Sequence, residues 1–210
     1  MALPPSTLRP PLPLPADHRT QRVVGAIRGN LALLLGLAAA GWALEILDFV
    51  LFGSLDRFGI RPRSTAGIWG IVMSPFLHAG LGHLASNTLP FLALGGTVLL
   101  GGRRVFALVS ILVVALGGAA VWMLGPGGTN HIGASLLIFG YLGFLLARGV
   151  VERSGFWIVV SLVVLVIYGG LLRGVLPGQT GVSWQGHLFG FLAGAFAARV
   201  LLARRDDEIQ

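Results

Sequence analysis

The 210-residue chain contains no cysteine and no lysine, and only 11% of its residues are charged. Without cysteine, disulfides and thiolate metal sites are excluded. An ordinary soluble domain carries about 25% charge, so this chain has too little polar surface for a water-soluble fold of its length. Instead 55% of the residues are hydrophobic and the mean hydropathy is +0.84. This is the composition of a polytopic membrane protein. All 15 basic residues are arginine and the net charge is +7. They flank apolar segments instead of clustering in one module, so no nucleic-acid partner is expected. Residues 1–22 are rich in proline and lack the compact apolar stretch of a signal peptide.

Six apolar stretches are long enough to span or nearly span a bilayer, at roughly 29–52, 83–100, 104–125, 135–151, 156–176 and 187–203. Backbone groups in lipid must satisfy one another, so these stretches are expected to be helices in an all-α, six-span bundle. With the N-terminus inside, eleven arginines fall on the inner side and only Arg57, Arg61, Arg63 and Arg173 on the outer. That bias places both termini in the cytoplasm. The expected organisation is a disordered Pro-rich tail over 1–24, a membrane domain over 25–204 and a short charged tail over 205–210. The first outer loop, about 53–82, is long and is expected to pack on or partly into the membrane surface. The second, Gly125–His131, is glycine-rich and leads directly to Ser135.

Ser135 lies 13 positions before Arg148, and His187 lies 12 before Arg199. At ~1.5 Å per helical residue each is roughly 18–20 Å from the inner interface. In a hydrocarbon layer ~30 Å thick, both are submerged about 10 Å below the outer face. Polar groups at such depth are expensive and mark functional sites. A hydroxyl and an imidazole at one level can form a nucleophile and its base. His83 and Asn87 share a helix face at or just above that level and can donate to a developing oxyanion, as can the free Ser135 amide at a helix start. Gly190 and Gly194 follow His187 at i+3 and i+7, a GxxxG stripe on the imidazole's own face. Small residues there admit a close neighbour. The fourth span, with Gly140 and Gly143 below Ser135, is the natural partner.

These residues, in this order, resemble the rhomboid intramembrane serine proteases. The likeness rests on His78-x₄-His83-x₃-Asn87, Gly133-x-Ser135 and Gly186-His187-x₂-Gly190-x₃-Gly194, and covers the six-span core. It implies that Ser135 is the nucleophile, His187 its general base, and that His83, Asn87 and the Ser135 amide form the oxyanion site. It also implies that Phe139 stacks beneath the imidazole and that His78 organises the first loop. The implied substrates are transmembrane proteins, cut near the outer face where their helices unwind. No cofactor or metal is implied, and no His-Glu-x-x-His element is present. The expected location is the plasma membrane of a bacterium, with the oligomeric state open.

Two departures from the family pattern stand out. Leu136 follows the serine where glycine is usual, and its isobutyl group either crowds the site or points into lipid. Trp69 is followed by Gly70, not by the usual arginine. A catalytically inactive rhomboid-like protein that binds membrane clients is the alternative reading. No carboxylate is available to hold the imidazole tautomer, so packing alone is expected to do so. Glu45 and Asp48 are expected to pair with loop arginines or to support folding.

Overall fold

In hydrocarbon an unpaired N–H or C=O has no water to turn to, and every long apolar stretch of this chain is helical. The computed structural model describes residues 18–179 and 181–202. Helix α1 (His18–Val50) is followed by a long loop with the single-turn helix α2 (Gly70–Met73), then α3 (Leu81–Leu99) and α4 (Arg103–Leu112). A π-helical turn, Val113–Gly117, joins α4 to α5 (Gly118–Leu124). Next come α6 (Ser135–Glu152), α7 (Gly155–Tyr168) with its 3₁₀ extension Gly169–Val175, and α8 (Trp184–Leu202). Among the described residues, five helical segments are long and apolar enough to cross a membrane: α1, α4–α5, α6, α7 with its extension, and α8. Helix α3 becomes a sixth when taken with Thr65–Phe76, from which it bends by 67°.

Residues 1–17 of the expected tail, and all of the expected C-terminal tail, lie outside the described residues. His18–Val24, also assigned to the tail, form the first turns of α1. At 33 residues, α1 is about 50 Å long and overshoots the hydrocarbon layer.

Helix α6 is the axis of the bundle. Tyr141, Leu142, Phe144 and Leu145 are almost completely buried, with α3, α4, α7 and α8 around them. The closest crossing is with α8. A methyl group on Gly190 would strike the Leu136 backbone, and one on Gly194 the Gly140 carbonyl. The two helices run parallel with backbones in contact, as the glycine stripe predicts. The π turn widens the third span opposite this crossing, so that Val113 fills the notch above Gly140 while Gly117 faces Leu136 and the Gly190 backbone.

Arg148 does not snorkel into an interface. It is 2% exposed, paired with Glu152 at 2.8 Å and stacked over Trp157 at 3.4 Å. The first loop folds back over the bundle. Arg63, with a left-handed φ of 56°, donates to the carbonyls of Gly125 at 2.7 Å and Met123 at 3.2 Å. A cation thus caps the C-terminus of α5, where the helix dipole favours it. Glu45 and Asp48 form no ion pair among the described residues. Asp48 instead accepts the Leu55 amide at 2.6 Å and closes the turn after α1.

Candidate active site

Ser135 is the first residue of α6, and the backbone before it can be built only with glycine. Gly133 has φ +118°, a conformation that side-chain-bearing residues rarely adopt, and a Cβ there would lie 2.8–2.9 Å from the His83 ring. Two hydrogen bonds hold the turn. Gly133 N–H donates to the Ser74 carbonyl at 2.9 Å, and Ala134 N–H donates to His78 Nε2 at 3.2 Å. His78 is 2% exposed, so this histidine of the first loop positions the residue next to the serine.

His187 stands one turn before Gly190 on α8 and faces Phe139, one turn after Ser135 on α6. The two rings are stacked, with centroids 4.0 Å apart and an interplanar angle of 6°. His187 Nδ1 lies 2.9 Å from the Gly174 carbonyl. A carbonyl only accepts, so Nδ1 carries the proton and Nε2 is left with a free lone pair. Packing alone was expected to hold the tautomer. A backbone carbonyl of the segment after α7 holds it as well. Residue type at 174 gives no warning of this, because every residue offers the same carbonyl.

His83 has the opposite arrangement. Its Nδ1 accepts the Ala79 amide at 3.3 Å, which puts the proton of the neutral ring on Nε2, beside Gly133. Asn87, one turn further along α3, brings Nδ2 to within 3.5 Å of the Cβ position of Gly133. Asn87 is 8% exposed and its Nδ2 has no hydrogen-bond partner among the described residues. A buried amide donor without an acceptor is costly and suits an acceptor that arrives with substrate. The Ser135 amide, at the helix start, adds a further donor.

Ser135 and His187 are both half-buried, and neither Ser135 Oγ nor His187 Nε2 has a hydrogen-bond partner among the described residues. Such contacts often tighten only on substrate binding. A small cavity beside Ser135 is walled by Ser74, His131, Gly133, Leu136 and Ser183. A much larger one, about 430 Å³, lies between α1, α3, α4 and α6, where Leu37, Phe76, Phe91, Ile111 and Leu137 give it an apolar lining. His78, Asn87 and Ala134 also line it, whereas Ser135 and His187 do not.

Leu136 does not point into lipid. It is 5% exposed, and its Cδ1 faces Gly117. The isobutyl group occupies room that the π turn and its glycine leave between α6 and α8, and forms one wall of the small cavity. Gly190 and Gly194 serve as expected, as the seam between the two helices.

Comparison with known proteins agrees with this architecture. The family model described as Rhomboid domain matches residues 65–204. The chain is 43% identical over 197 residues to an uncharacterised protein of Mycobacterium tuberculosis, spanning 90% of this chain and 81% of that one. An uncharacterised protein of Mycobacterium leprae is 42% identical over 195 residues, or 89% of this chain and 77% of that one. The rhomboid protease GluP of Bacillus subtilis is 32% identical over 176 residues, covering 76% of this chain and 33% of that protein. With a family model over two thirds of its length and a helical, multi-span bundle, this chain belongs to the rhomboid family of membrane proteins.

Proposed function

We propose that this rhomboid-family protein is an intramembrane serine endopeptidase that cuts transmembrane or membrane-proximal segments through a Ser135–His187 dyad. The observation that carries the reading is the Gly174–His187 hydrogen bond. It commits Nδ1 and leaves Nε2 free to act as a base, on a ring stacked against the residue one turn below Ser135.

In the proposed reaction Ser135 Oγ attacks the substrate carbonyl carbon and its proton passes to His187 Nε2. The carbonyl oxygen becomes an oxyanion, which accepts from Asn87 Nδ2, from His83 Nε2–H and from the Ser135 amide. Preorganised donors of this kind contribute on the order of 10²–10³ each in rate. The C–N bond then breaks, and the imidazolium returns its proton to the leaving amine. Water, deprotonated by the same nitrogen, releases the acyl group and regenerates Ser135. A substrate helix must unwind locally to present its carbonyl. On the arginine bias, the site opens toward the outer face and both termini are cytoplasmic. The host membrane is a bacterial plasma membrane.

The test is cleavage of a single-span substrate in liposomes, with fluorophosphonate labelling, by wild type, Ser135→Ala and His187→Ala. Activity in wild type alone upholds the dyad. Equal activity in all three overturns it. A wild type that neither cuts nor labels, yet still binds membrane clients, favours the inactive, client-binding alternative raised by Leu136.

A further inference from the structure

We propose that His131 and Ser183 are positioning residues for the dyad, a hydrogen-bonded clamp that sets the start of α8 against the loop delivering Ser135. The proposal rests on the dyad reading above. His131 precedes Ser135 by four residues, and Ser183 precedes His187 by four. Their side chains meet, His131 Nδ1 to Ser183 Oγ at 2.6 Å. The clamp is therefore one short step up the chain from each member of the pair.

The direction of every bond in the clamp follows from its neighbours. Thr129 Oγ1 donates its single proton to the Pro126 carbonyl at 2.7 Å. The 2.8 Å contact between Thr129 Oγ1 and His131 Nε2 must then use the Nε2 proton. With that proton on Nε2, the neutral ring accepts at Nδ1, and Ser183 supplies the hydroxyl proton. Burial, which leaves His131 7% exposed, pushes its pKa down and keeps the ring neutral. Ser183 Oγ in turn accepts the Gly186 amide at 3.3 Å, an N-cap for α8. The Ser183 carbonyl accepts the His187 amide at 3.1 Å. One serine thus caps the helix, begins the turn that carries His187, and is held in its rotamer by His131.

The other end of the clamp is equally fixed. His131 exchanges two backbone hydrogen bonds with Ile60, at 3.0 and 2.9 Å, which anchors it to the first loop. The glycine seam locks α6 to α8 only from Leu136–Gly190 downward. Above that seam, the His131–Ser183 side-chain hydrogen bond joins the second loop to the residue that caps α8. Displacement of a reacting group by about 1 Å can cost 10²-fold in rate, so a clamp at this level sets kcat.

The test compares Ser183→Ala, Ser183→Thr, His131→Leu and the double variant His131→Leu/Ser183→Ala as full chains in liposomes. Cleavage kinetics, fluorophosphonate labelling of Ser135 and thermal unfolding are read together. Ser183→Ala is expected to lower kcat and the labelling rate about 10–100-fold with KM unchanged. Ser183→Thr, which restores the hydroxyl, should recover most of the loss. The double variant should be no slower than the slower single one, because both changes break one interaction. Wild-type kcat in Ser183→Ala, a failure of threonine to rescue, or additive losses would overturn the clamp. Should His131→Leu fail to fold, the serine pair decides alone. If wild-type protein is no more active than Ser135→Ala, the dyad reading has failed and the clamp falls with it.

Discussion

As neutral imidazoles, His83 and His187 hold opposite tautomers around one serine. His83 takes an amide proton on Nδ1 and offers Nε2–H, whereas His187 gives its Nδ1 proton to a carbonyl and keeps Nε2 bare. Two identical side chains thereby differ, one presenting an N–H and the other a bare nitrogen. Backbone groups make the division. Four bonds to the main chain around the site involve His78, His83, Gly133 and His187, which ties its geometry to loop conformation.

The carbonyl that orients His187 belongs to a glycine with no spare room. A Cβ at Gly174 would lie 2.9 Å from His187 Nδ1 and 3.0 Å from Phe139 Cζ. Gly174→Ala should push the imidazole off its stack and lower the cleavage rate about 10–100-fold. Gly170→Ala, on the same 3₁₀ segment with nothing within 4 Å of its Cβ position, is the control and should be nearly silent. Equal rates for the two alanine variants would show that the contact is dispensable.

Leu136 is a packing residue as well as the neighbour of Ser135. Its removal in Leu136→Gly restores the usual family residue but empties a site that is 5% exposed. The expected cost is about 2–5 kcal/mol of stability, as for other buried leucines cut back, with no gain in cleavage. Thermal or denaturant unfolding in detergent, run beside a cleavage assay, checks both halves. A faster and equally stable glycine variant would mean that the isobutyl group obstructs the site.

Asp56, in the first loop, has a carboxyl pKa pushed up to about 6 by burial and by the nearby charges of Asp48 and Glu45. The unfolded value is 3.8, so between those values the folded state binds the proton more tightly. Stability contributed by this group is present at acid pH and is lost as pH rises through about 6. Asp56→Asn removes the penalty and keeps the backbone carbonyl that receives Asn130 at 2.8 Å. The thermal midpoint should rise by a few degrees at pH 7–8, with the gain vanishing below about pH 4. A pH-independent difference would place the origin of the effect elsewhere than this carboxyl.

Much of the fold was legible because a membrane imposes a simple rule. Apolar runs of spanning length must be helices, and their ends fell within a few residues of expectation for α3 to α8. The start of α1 was not, because its first turns are polar and lie beyond the apolar stretch. Ser135, His187, His83 and Asn87 could be named from the same rule, since polar groups at depth are conspicuous. The Gly190–Gly194 stripe even predicted which helix would meet the imidazole.

What the sequence by itself determined, then, was a multi-span helical membrane protein of the rhomboid type, with a small set of polar groups inside its apolar stretches. Only the tertiary structure decided how those groups are aimed. The Gly174 carbonyl, the Ala79 amide and the Ile60 backbone carry no side-chain signature, and their meeting with His187, His83 and His131 depends on segments far apart in the chain. The direction taken by Leu136 likewise depended on a glycine and a π turn in another helix. Depth is a one-dimensional property that a sequence displays; tautomer and orientation are set by three-dimensional contacts that it does not.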